Sequence, residues 1–372
     1  MGGSLRHLFR RPDRPRARLL RARTTDGEPM SGSAFRRPRL LPSLLVVVTV
    51  AGGLAAAKNA QGIGELLGHT DWARVVPALL LTAFAYACIS AGFVALGRVV
   101  GVSAPRWPMM RIAFVSVAVN QLISFGGVVG YSLRAVLSRR YGVATGDALA
   151  MSLVHSYLNN LAMFVLLAAG ILQLIRDPAT DEAWRRTLQA SGVLVVVFFM
   201  VSSSAMFHAR LRAVLVGGTA GLARRLLPNR WASPISLALR DLDFALGRMA
   251  TGLRNDPMAA FWPCAFLVMD WVAALGVLWY CLDAVGEVVP LGVLVGGFSV
   301  GVVAGFASLV PGGLGVQDGS LAAVLALQGV PLQDAVIGVL LFRIVYYVVP
   351  FLATLPVYTT FLRNREVVTG NG

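Results

Sequence analysis

Six apolar runs, at residues 40–57, 75–96, 147–175, 192–207, 258–282 and 336–361, recur along this 372-residue chain. A bilayer core of about 30 Å takes about 20 residues at 1.5 Å of rise each, so every run is long enough to cross, the fourth only just. A chain patterned this way is expected to be an all-α polytopic membrane protein. Composition agrees: 56% hydrophobic and 14% charged residues, with a mean hydropathy of +0.70, do not describe a soluble surface. Aqueous enzyme folds are nearly excluded.

Charge is just as uneven. Thirty-three basic residues, all Arg except Lys58, stand against 18 acidic ones, a net of +15 that must sit outside the spans. Anionic lipid headgroups fit this excess better than nucleic acid, because no basic run is interleaved with aromatics on a soluble module. Cys88, Cys264 and Cys281 fall in apolar runs without a CxxC or a paired His, which implies neither a disulfide framework nor a zinc site. Nothing calls for a metal or another cofactor.

Residues 1–39 hold eleven Arg against Asp13, Asp26 and Glu28, with Pro and Gly scattered through them, the composition of a disordered basic arm. The arm is too long for a secretory signal and runs into residues 40–57 without a clear cleavage motif. It is expected in the cytoplasm, ahead of a first helix.

Loop charge orders the rest, since short cytoplasmic loops are rich in Arg and Lys. Arg98, Arg106 and Arg111 place the loop after the second run inside, and Arg134, Arg139 and Arg140 ask for the same side. Both are met if residues 112–131 enter from the cytoplasm, turn at 124–130 and return without crossing. Residues 209–256, with eight Arg against three Asp, are inside again, as are Arg363 and Arg365 in the tail 363–372; the acidic 283–287 loop is outside. Residues 291–330 are then two crossings or one outer re-entrant hairpin, the hairpin being favoured because a 12-residue second arm covers only about 18 Å. The expected total is about six full crossings and two Gly-rich re-entrant hairpins in a domain of 40–362, with both termini cytoplasmic.

A faint repeat supports the two hairpins. Phe125-Gly126-Gly127-Val128 followed by Ser132-Leu133-Arg134 resembles Pro311-Gly312-Gly313-Leu314 followed by Ser320-Leu321-Ala322. Entered from opposite faces, such copies form an inverted repeat, the layout in which broken helices meet at a midplane site. Between the spans, Leu239, Leu242, Leu246, Met249 and Leu253 recur at steps of three and four, which predicts an amphipathic helix at the inner interface.

Candidate chemistry gathers at a few positions. Pro311, Gly312, Gly313 and Gly315 interrupt an apolar region, and the freed backbone must be buried in protein or line a wet cavity; Gln317 and Asp318 follow directly. No Gly-Lys-Ser/Thr follows, so this is no nucleotide loop. Asp270 and Arg343 lie inside apolar runs, where an ionisable group costs about 2.5 to 3.5 kcal/mol unless paired or hydrated. Arg343 has Tyr346 and Tyr347 within a turn, and either Asp318 or Asp270 is a candidate partner for it. His155, Asn159 and Asn160 occupy one long run, as helix-joining hydrogen-bond groups or as site residues.

These segments resemble a known family. Residues 119–142, with Gly126, Gly127 and Arg134, look like the first signature of the flippase-like transmembrane region of lysylphosphatidylglycerol synthases. Pro311-Gly312-Gly313-Leu314-Gly315-Val316-Gln317-Asp318 resembles the second. Leu340-Leu341-Phe342-Arg343-Ile344-Val345-Tyr346-Tyr347 with Pro350 is similar to the last-span pattern. Many members carry an acidic residue near Gly130, absent here. Ten residues follow Leu362, so the aminoacyl-transferase domain of the full-length synthases is not expected in this chain. The resemblance implies a protein that moves a lipid rather than makes one: an anionic or aminoacylated phospholipid, with Arg134 and the Gly312-Gly313 backbone receiving phosphate and Asp318 or Asp270 a cationic group. Two other classes remain open. One is an intramembrane lipid-modifying enzyme, against which stands the lack of a paired acidic motif. The other is a scaffold for a separately encoded lipid synthase.

Overall fold

The computed structural model describes residue 68 and residues 70–99, 101–123, 128–176, 182–226, 228–308 and 313–363. The basic arm, the run 40–57 and the tail beyond 363 lie outside the described residues. Those described are helical throughout, from α1 (Trp72–Val99), α2 (Arg106–Ile123), α3 (Val128–Ser138) and α4 (Thr145–Arg176) to α5 (Glu182–Phe207) and α6 (Ala209–Leu226). Then come α7 (Asn229–Asn255), α8 (Pro257–Asp283), α9 (Leu291–Ala307), α10 (Val316–Leu327), α11 (Leu332–Arg343) and α12 (Val349–Arg363). A five-residue π-helical stretch, Ile344–Val348, makes α11 and α12 one continuous element. Among the described residues four helices are long and apolar enough to cross a membrane: Trp72–Val99, Thr145–Arg176, Met258–Asp283 and Leu332–Phe361.

The centre is a three-helix stack of α1, α4 and α8. α1 and α8 run antiparallel along their lengths: Gly92 sits against Leu267 and the Pro263 carbonyl, and Gly276 against Leu81 eleven residues away. Their register is pinned at one end, where Asp71 N–H donates to the Ala284 carbonyl at 2.8 Å and Arg74 pairs with Asp283. α4 joins through Gly97, which receives Met151, and through Trp271, whose indole donates to the Asn159 carbonyl at 3.1 Å.

On either side of this stack the chain breaks a helix with glycines and folds the second piece back on the first. α2 and α3 touch where Gly130 lies against Asn120 and the Ser116 carbonyl, and Gly130 N–H reaches the Asn120 side chain at 3.4 Å. α9 and α10 are antiparallel: Gly297 meets Leu321 and Leu325, Gly301 meets Leu321 and the Gln317 carbonyl, and Gly305 meets Gln317. Small residues at four-residue spacing let backbones approach closely, which is the main source of packing energy between helices in lipid. α9 uses two such ridges. Gly292, Gly296 and Ser299 face Gln173, Leu174 and Gly170 of α4, while the other three glycines face α10.

α7 is the amphipathic helix the spacing predicts, extended to 27 residues. Leu246, Met249 and Leu253 are buried, Leu239 and Leu242 half-buried, and Arg240, Asp241, Arg248 and Arg254 exposed. It docks on the start of α4, where Arg248 pairs with Asp147. α5, which contains the run 192–207, carries Val193, Val196, Val197, Met200 and Val201 as an exposed apolar stripe.

Candidate functional site

The second glycine break leads straight into a buried polar cluster. Gly313 and Gly315 have φ of +63° and +79°, a left-handed backbone that side chains resist, so glycine is what allows α10 to start here. Asp318, in the first turn of α10, accepts from the Gly315 N–H at 3.1 Å and so caps the helix. The same oxygen, Oδ2, accepts from Arg343 Nη2 at 2.8 Å and Nε at 3.2 Å. Side-chain exposures of 8% for Arg343 and 18% for Asp318 make this a largely buried ion pair. The guanidinium also lies 4.5 Å above the Tyr347 ring, and Gln317, wedged under Gly305 and Gly313, is turned toward Tyr347.

Asp270 belongs to the neighbouring layer and not to the ion pair. Its carboxylate accepts from the Tyr346 hydroxyl at 3.0 Å, so of the two acids the sequence offered to Arg343, Asp318 is the partner. Tyr346 stacks on Phe342 and contacts Tyr347, and Phe342 leads through Phe298 to Trp271, the residue next to Asp270. Both tyrosines are buried within the π-helical stretch, and a wider turn of this kind often marks a functional position.

The first glycine break leads to a second buried cation. Arg134, on α3, is 3% exposed, and its Cζ lies 4.4 Å above the Phe93 ring. Among the described residues its Nε and Nη1 have no hydrogen-bond partner. His155 packs edge-on against the same Phe93 ring at 5.7 Å between centroids, and its Nε2 hydrogen-bonds with the Ile89 carbonyl at 3.0 Å. Asn159 contributes its backbone carbonyl to Trp271, while its side-chain oxygen is buried without a partner among the described residues.

The structure thus brings together Gly313, Gly315, Gln317, Asp318, Arg343 and Tyr347 in one cluster, with Tyr346 and Asp270 adjoining. Arg134 and His155 form another, farther along α1 at Phe93. Gly126, Gly127, Pro311 and Gly312 lie outside the described residues. Two residues that sequence reasoning passed over connect the clusters: Tyr86, whose hydroxyl donates to the Tyr346 carbonyl at 3.1 Å, and Phe93, two turns along the same helix. A tyrosine in the middle of a span, far from the interface where its polar tip would be wet, is the signal that could have found the first. No group of three His, Cys, Asp or Glu side chains able to hold a metal occurs among the described residues.

Comparison with known proteins matches residues 41–354 to the family described as lysylphosphatidylglycerol synthase TM region. Phosphatidylglycerol lysyltransferase of Staphylococcus aureus (strain COL) is 21% identical over 262 residues, 70% of this chain and 26% of that protein. The protein of the same name from Staphylococcus haemolyticus (strain JCSC1435) is 23% identical over 253 residues, 68% of this chain and 25% of its own length. The chain therefore spans about a quarter of the length of the curated relatives it matches. With a family match over most of its length and four helices fit to cross a bilayer, this chain is a multi-pass membrane protein that belongs to the lysylphosphatidylglycerol synthase TM-region family.

Proposed function

We propose that this protein binds a charged phospholipid and carries its headgroup between the leaflets of the cell membrane, without nucleotide hydrolysis. The observation that carries this reading is Arg134: a guanidinium sealed in the helix bundle with two N–H positions unpartnered among the described residues. A desolvated cation–π contact contributes about 2 kcal/mol or more, yet it gives the guanidinium no hydrogen-bond acceptor, and a buried cation with donors unpartnered among the described residues fits a site for an anion. A lipid phosphate supplies one.

The Asp318–Arg343 pair suits the second half of the task. A headgroup bearing both signs, as an aminoacylated phosphatidylglycerol does, can replace the pair by placing phosphate on Arg343 and amine on Asp318, so neither charge is stranded. The relatives' name, phosphatidylglycerol lysyltransferase, points to the same lipid class. In this reading α2–α3 and α9–α10 are re-entrant hairpins entered from opposite faces, the chain makes six crossings, and both termini are cytoplasmic. The lipid is synthesised by a separately encoded enzyme. Transport runs downhill or is coupled to an ion gradient.

Purified protein in liposomes tests this. Fluorescent phosphatidylglycerol placed in one leaflet should equilibrate faster with the protein than without it, and Arg134→Ala should slow it while the variant keeps the wild-type unfolding temperature. Headgroup cleavage or transfer in place of movement would install the enzyme reading instead.

A further inference from the structure

A lipid-facing groove lies apart from both buried cations. Its walls are α1 from Leu79 to Ser90, the Trp107, Met110, Arg111 and Phe114 face of α2, and Val349 to Val357 of α12, around a volume of about 340 Å³. Three features say what fills it. The floor is almost wholly apolar and extends from Leu79 to Ser90 of α1, about 16 Å, close to the half-thickness of a hydrocarbon core of about 30 Å. One end carries Trp107, 68% exposed, and Arg111, exposed and without an ion-pair partner among the described residues. An aromatic beside a free cation is the pairing found at the headgroup level of a bilayer. Ser90 lines the same groove with its hydroxyl buried and unpartnered among the described residues, a donor placed where an ester carbonyl would sit between chain and headgroup.

We infer that this groove holds one acyl chain of an anionic phospholipid, its phosphate on Arg111 and its chain lying along α1 toward the bilayer midplane. The site is independent of Arg134 and of whether the protein moves lipid. A resident lipid here also packs against Tyr86, and so borders the Tyr346–Asp270 layer.

Photolabelling decides the matter. Phosphatidylglycerol and phosphatidylcholine carrying the same mid-chain diazirine are each incorporated in liposomes with the full chain, and labelled peptides are mapped by mass spectrometry. The phosphatidylglycerol probe should concentrate on the 79–90 and 107–114 peptides. Ala83→Trp, which fills the groove from an exposed position, should lower that labelling about fivefold, equivalent to about 1 kcal/mol of binding. Arg111→Gln should bring the phosphatidylglycerol yield down to that of phosphatidylcholine and leave the latter unchanged. Ala353→Trp, on the opposite wall, repeats the blocking in case the first variant folds poorly. Labelling spread evenly over other exposed apolar faces, such as Val165 and Leu172 of α4, or equal wild-type labelling by the two headgroups, overturns the assignment. Loss of this labelling pattern with Arg134-dependent transport intact would remove the groove and leave the transport reading standing.

Discussion

The hydroxyl of Tyr86 donates to the backbone carbonyl of Tyr346 at 3.1 Å, and Pro350, four residues on, has no N–H to offer that carbonyl. Proline has no N–H, so a buried carbonyl in the last span needs a partner from elsewhere, and α1 supplies it. Tyr86→Phe should cost about 1 kcal/mol of stability. In a Pro350→Ala background, where the helix can supply its own donor, the same change should cost distinctly less. Thermal unfolding of the four proteins in detergent measures this; equal costs in both backgrounds would separate the tyrosine from the proline.

Asp318 and Arg343 form a second long-range tie, between the first turn of α10 and the end of α11. Removing one partner strands a buried charge, so Asp318→Leu or Arg343→Met alone should cost about 3 kcal/mol. The double variant should recover most of that, less the small contribution of the cap on Gly315. Strictly additive losses in the unfolding temperatures would show that the two do not depend on each other.

How much of this was written in the sequence depends on range. The long spans at residues 75–96, 147–175 and 258–282 were legible because hydropathy is a local property, and the helices Trp72–Val99, Thr145–Arg176 and Met258–Asp283 contain them or nearly so. The breaks were legible because glycine and proline cannot continue a helix cheaply, and both fall between helices that pack on each other. Partner choice was not. Asp270 and Asp318 look alike to Arg343 from composition, and only the packing of α10 against α11 brings the second to 2.8 Å. The glycine ridges of α9 were in plain view as Gly297, Gly301 and Gly305 at four-residue spacing, yet glycine is so common in this chain that the pattern has no meaning until a neighbouring helix is known to lie on it.

Those ridges make a sharp steric prediction. A Cβ built on Gly170 would lie 2.7 Å from the Val295 carbonyl oxygen, and one on Gly301 would lie 3.0 Å from that of Gln317. Gly170→Val or Gly301→Val should therefore push helices apart at a cost of about 1 to 3 kcal/mol. Gly218→Ala, with nothing within 4 Å, should be neutral or stabilising by up to about 1 kcal/mol, since alanine favours a helix interior. Unfolding temperatures in one detergent check all three together, and a loss at Gly218 equal to that at Gly170 would mean that packing is not the cause.

In the proposed transport cycle the buried guanidinium of Arg134 receives a lipid phosphate. The most direct measurement of this step is the rate at which fluorescent phosphatidylglycerol loses its asymmetry in liposomes holding wild type, Arg134→Lys or Arg134→Ala, with and without imposed proton and sodium gradients. Wild type should speed the loss, Arg134→Lys should retain part of the rate through its remaining charge, and Arg134→Ala should fall to the level of protein-free liposomes while unfolding at or above the wild-type temperature. Arg134→Ala moving the lipid as fast as wild type would show that Arg134 is not the phosphate site.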